Sequence, residues 1–113
     1  MHNGNLNKYM KTYTTLFSGY NNSSISQLTS DNIDITKYSF IYCTIKYDNH
    51  VYDTALVPTK IFTKFYKDSN NCLVLNKNEN YGGSANIWFL SERRQFCIYI
   101  NAQYTPVELF GIF

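Results

Sequence analysis

The side chains of this 113-residue chain best suited to acid–base, nucleophilic or metal chemistry are two histidines, three cysteines and eight carboxylates. Cys43, Cys72 and Cys97 each sit inside a short apolar run, so they read as buried free thiols of a protein made in a reducing cytosol. His2 lies near the start and His50 at the tip of a hairpin. A Cys–His pair would therefore need His50 to reach a thiol that strand alternation points inward. A glycosidase needs two carboxylates facing each other across a groove. Asp48 and Asp53 flank the same hairpin tip, where aspartate serves turn chemistry. Asp31-Asn32-Asp34 and Asp68-Asn70 offer oxygens to calcium but lack the spacing of a calcium loop, and read as capped turns. "NYGGS" (80–84) has neither the lysine nor the helix start of a phosphate cradle. These residues lead to an expectation of a non-enzyme with no metal and no cofactor.

What remains is aromatic and amide surface. Tyrosine, phenylalanine and tryptophan make up 18% of the chain, charged residues only 16%. Such a surface suits β-structure and uncharged partners, sugars or another protein, although an AT-rich genome enriches the same residue types. Tyrosine and tryptophan present a stacking face and a polar tip. The candidate ligand-binding residues are Tyr42 and Lys46 on the non-core face of a long strand, with Tyr52, Tyr81, Trp88 and Tyr99. The competing reading is that these rings pack between subunits or under a second layer.

The elements that would position them are strands. "KYSFIYCTIKYDN" (37–49) alternates Ser39, Ile41, Cys43, Ile45 and Tyr47 against Phe40, Tyr42, Thr44 and Lys46, a period of two. Asp48-Asn49 turns it into "VYDTALV", with Val51, Ala55 and Val57 inward, and Pro58 ends the pair. "TYTTLFSG" (12–19) is a strand closed by Gly19, followed by a turn at Asn21–Ser24. One or two short strands then break around Ser30-Asp31-Asn32. "TKIFTKFYKDSNN" (59–71) fits either a single helical turn or an irregular strand. "CLVLNK" is a short strand, and "IWFLS" with "RQFCIYIN" forms a second hairpin across Glu92-Arg93. "VELFGIF" (107–113) alternates Val107, Leu109, Gly111 and Phe113 with Glu108, Phe110 and Ile112. Being apolar on both faces, it belongs centrally in a sheet or against a neighbouring subunit. Seven or eight short strands without a sustained helical period specify an all-β, antiparallel β-sandwich or jelly-roll-like domain over residues 12–113. Residues 1–11 read as a flexible lead-in or linker.

A net charge of +2, spread along the chain, leaves no footprint for nucleic acid. Arg93-Arg94 reads as a solvated hairpin end. No apolar run reaches the length of a membrane span, and the first residues lack the apolar core of a signal peptide, so no membrane insertion is expected. Export would then follow another route, such as lysis.

The order of landmarks carries a further reading. "LFSG" (Leu16 to Gly19) precedes "ITKYSFIYCTIKYDN" (Ile35 to Asn49), then "LVP" (Leu56 to Pro58), then the closing "VELFGIF". This order resembles the small β-domains of tail-fibre, baseplate and receptor-binding proteins of bacteriophages and prophages of low-GC bacteria. The resemblance covers residues 12–113 and rests on core and turn positions. It implies a homotrimeric domain carried in the virion tail that attaches to a host surface polysaccharide or protein. The alternative is a small phage-encoded inhibitor that blocks a bacterial defence protein in the cytosol. An enzyme of carbohydrate chemistry ranks third, for want of a carboxylate pair.

Overall fold

The computed structural model describes residues 12–22, 26–66, 71–76, 83–101 and 104–113. The Asn-rich lead-in (1–11), Tyr81 with Gly82, and Asp68-Asn70 lie outside the described residues.

Among the described residues, eight strands form two four-stranded antiparallel sheets. They are β1 (Tyr13–Gly19), β2 (Ser26–Thr29), β3 (Phe40–Tyr47), β4 (His50–Pro58), β5 (Leu73–Asn76), β6 (Ser84–Leu90), β7 (Gln95–Ile100) and β8 (Val107–Ile112). The first sheet has the order β1-β8-β3-β4 and the second β2-β7-β6-β5. Consecutive strands β1 and β2 lie in opposite sheets, as do β7 and β8, so the chain's two ends wrap the sandwich as paired ribbons. β3–β4 and β5–β6–β7 are local hairpins. The all-β sandwich follows from the alternation in the sequence. No helix among the described residues is long and apolar enough to cross a membrane.

Inward alternation builds the core. Ile41, Cys43 and Ile45 of β3 and Val107 and Leu109 of β8 face Ile87 and Phe89 of β6 and Phe96, Ile98 and Ile100 of β7, all buried. β8 pairs with β1 on one side and β3 on the other. Its two apolar faces follow from that central place. Gly111 is required there, because a β-carbon would stand 2.5 Å from the Tyr38 ring.

Between β2 and β3 a 3₁₀ turn (Ile35–Lys37) takes the place of a second strand. Asp34 caps it by accepting from the Thr36 N–H and hydroxyl, and these bonds hold its carboxyl below the usual range. Residues 59–62 form one helical turn, α1 (Thr59–Phe62). Its Phe62 is fully buried, 5.1 Å from Phe65 and 5.3 Å from Phe96 between ring centroids, and Phe96 meets Phe89 at 4.9 Å. This chain of four rings closes one end of the core.

The β3–β4 turn has Asp48 at φ 50° and Asn49 at φ 64°. Both central residues are left-handed, the requirement of the two-residue turn that matches strand twist. Val51 corrects the expected alternation. It pairs with Lys46, while Asp53 pairs with Ile45, so Tyr52 is an extra residue in a bulge. One inserted residue reverses the facing of everything beyond it. Val51 is accordingly 53% exposed, while Ala55 and Val57 pack against the core.

Candidate functional site

The six candidate residues do not converge on one site. Tyr42 and Lys46 lie on the outer face of the first sheet, whereas Trp88 and Tyr99 belong to the outer face of the second. Trp88, opposite Cys97, is only 3% exposed and offers little ring surface to a ligand. Tyr99 is half-buried opposite Asn86 and Gln27. Tyr52 is exposed at the β4 bulge, and Tyr81 lies outside the described residues.

Around Tyr42 the register assembles a larger feature. One row across the sheet runs Thr15, Phe110, Tyr42, Leu56, and the next runs Tyr13, Ile112, Phe40, Pro58. The Phe110 ring meets Tyr13 edge-on at 5.8 Å and Tyr42 at 6.2 Å. Tyr13 and Leu56 remain 57% and 58% exposed. The two apolar rows therefore cross all four strands of the first sheet. From strand spacing and rise they cover a patch of about 19 by 14 Å, or roughly 270 Å² before side-chain relief.

The third row, Ser18, Glu108, Thr44, Thr54, is polar. Lys46 Nζ lies 2.7 Å from Glu108 Oε1, and both groups are partly exposed. Such a pair adds at most about 1 kcal/mol. Its larger effect is to cancel the two charges borne by these cross-strand rows. Lys46 is thus engaged by its own sheet, and the apolar rows are bordered by a polar row whose ion pair is internally compensated.

The groups considered for chemistry have structural employment. Asp53 accepts from the Thr54 and Asn76 N–H groups, both at 2.9 Å, tying β4 of one sheet to β5 of the other. Asp48 occupies the hairpin turn. Cys43 and Cys97 are buried, and burial pushes the Cys43 thiol up, away from thiolate. Among the described residues, no three His, Cys, Asp or Glu side chains come together as metal ligands.

Sequence reasoning named Tyr42 but missed its neighbours Tyr13, Leu56, Phe110 and Ile112. The available signal was β8 itself, apolar on both faces, but strand order was needed to place it between β1 and β3. The chain matches no protein-family model, no curated protein and no solved structure.

Proposed function

We propose that this protein is a non-enzymatic attachment domain of a bacteriophage tail. It assembles with copies of itself as a homotrimer and recognises a bacterial surface polysaccharide or protein. The observation that carries the reading is the outer face of the first sheet, where two consecutive cross-strand rows, aromatic and aliphatic but for Thr15, leave Tyr13, Phe40 and Leu56 exposed and Tyr42, Phe110 and Ile112 half-buried. Contiguous exposed apolar rows rimmed by polar residues mark interaction surfaces. The landmark order over residues 12–113 supports the tail assignment.

The occupant of the face is a second copy of this chain. Lys46 and Glu108 satisfy each other, so a neighbouring copy that covers this face in the three-fold assembly meets no uncompensated charge from that pair. Its roughly 270 Å² is about a third of the ~800 Å² that each partner contributes to a standard interface. The apolar rows thus form the centre of the contact, and the polar row and strand edges complete it.

Sedimentation equilibrium of the whole chain, with binding to a panel of low-GC bacterial cells, tests the reading. A trimer is expected, dissociated by Leu56→Lys without loss of the folded-state circular dichroism. Loss of trivalency lowers cell binding by 100-fold or more. A folded monomer that binds no cells, yet captures a cytosolic bacterial protein, would establish the inhibitor reading instead.

A further inference from the structure

A second feature lies at the strand ends opposite α1, where β1, β3 and β7 finish and β4 and β8 begin. Tyr20, just past β1, and Tyr104, just before β8, bring their ring centroids within 5.9 Å at a tilt of 46°. They remain 57% and 65% exposed, so most of both rings is open to a ligand.

The backbone beneath them is tied at several points. Tyr104 N–H donates to Asn21 O at 2.9 Å, the Asn21 side-chain amide donates to Ile100 O at 2.7 Å, and Lys46 N–H donates to Pro106 O at 3.0 Å. Asn21 and Thr105, the residues next to the two tyrosines, are buried. These bonds hold Tyr104 at φ 54°, a left-handed backbone that bulky residues rarely adopt. Tyrosines carried on a fixed backbone have few torsions left to lose when a ligand covers them.

Tyr104 borders a recess of about 380 Å³ with Lys46, Tyr47 and Asp48, and Tyr20 borders one of about 300 Å³ with Asn22 and Leu28. Their polar groups are of both kinds. The Lys46 ammonium donates, with Glu108 as one partner, the Asp48 carboxylate accepts, and the Asn22 amide and Tyr47 hydroxyl carry both functions. Nucleic acid would find no cationic track here, since Lys46 is paired with Glu108 and Asp48 lines the same recess. A protein anchor wants a desolvated apolar centre, which Leu28 alone does not supply. A sugar ring matches the combination, with C–H groups on its face and rim hydroxyls that both donate and accept.

We propose that the Tyr20–Tyr104 pair and its two recesses bind hexopyranose units of a bacterial surface glycan, an inference that rests on the attachment role. Sugar faces lie on the two tyrosine rings, and sugar hydroxyls bond to Asn22, Lys46 and Asp48. The two tyrosines stand beyond the polar row, at the strand ends, so copies packed on the apolar rows leave them open.

The test uses the full chain and the panel of low-GC bacterial cells, untreated, digested with protease, or oxidised with periodate, which cleaves sugar diols. Cell-wall polysaccharide released from the same cells is titrated in parallel, with amide chemical shifts as the readout. Protease should spare cell binding and periodate should abolish it, and the polysaccharide should shift Tyr20, Asn22 and Tyr104. Tyr104→Asn removes the ring but keeps a residue that tolerates left-handed backbone. It should keep the native melting temperature and weaken the polysaccharide about tenfold. Tyr20→Ser, at an exposed position, should do the same. Polysaccharide affinity unchanged in both variants overturns the site and leaves the attachment role standing. Cell binding that survives periodate and is lost to protease overturns the sugar and points to a surface protein. Absence of binding to any cell overturns the attachment role and this site with it.

Discussion

Gly111→Ala places one methyl group where the structure leaves no room. The added β-carbon would lie 2.5 Å from Tyr38 Cδ1, 2.6 Å from Cγ and 2.7 Å from Cε1. Relief requires a displacement approaching 1 Å, since ordinary contacts begin near 3.4 Å. The ring cannot swing clear, because Cγ sits one bond from the Tyr38 β-carbon. The adjoining backbone is fixed by Tyr38 N–H to Ile35 O at 3.2 Å and Ser39 N–H to Ile112 O at 2.7 Å. Overpacking of this kind costs about 1–3 kcal/mol. Against it stands a gain of about 0.4–1 kcal/mol from replacing glycine with a less flexible residue. Overpacking wins, with a net loss of about 1–2 kcal/mol, or a fall in melting temperature on the order of 4–8 °C for a domain this size. Thermal and urea unfolding of the single variant, of Tyr38→Ala and of the double variant completes the cycle. With the Tyr38 ring gone, Gly111→Ala should be neutral or stabilising. An unchanged melting temperature in the single variant, or an equal loss in both backgrounds, would refute the reasoning.

Phe62→Ala removes the middle of the four-ring chain and should cost about 3–5 kcal/mol in urea unfolding; a loss under 1 kcal/mol would mean α1 is not part of the core. Asn49→Gly keeps the hairpin turn and removes the penalty of a left-handed non-glycine residue, so the melting temperature should rise by the equivalent of a few tenths of a kcal/mol. The hydrogen bonds from Thr36 lower the Asp34 pKa in the folded state, so the carboxylate's contribution is present above the unfolded value of 3.8 and disappears as pH falls through the folded one. The stability gap between the native chain and Asp34→Asn should therefore be larger at about pH 6 than at about pH 2, and a gap constant across that range counts against the cap.

The sequence by itself determined the kind of element and its facing. In β3 the alternation of an apolar face with an amphipathic one, and in β8 the same period of two with both faces apolar, dictate strands, since that period buries Ile41, Cys43, Ile45, Val107 and Leu109 on one side. Asp48-Asn49 likewise announced its own turn, because those side chains tolerate left-handed backbone. Pairing was not legible. Nothing local tells β8 to insert between β1 and β3, or Tyr52 to bulge and turn Val51 outward, because both are settled by register with strands distant in sequence. The candidate site depends on that register. Tyr13, Tyr42, Leu56 and Phe110 come from four separate strands and form a single bare face only once the sheet is ordered. The seat of Tyr38 depends on it as well, since the ring can settle where it does only because position 111 of a neighbouring strand lacks a side chain.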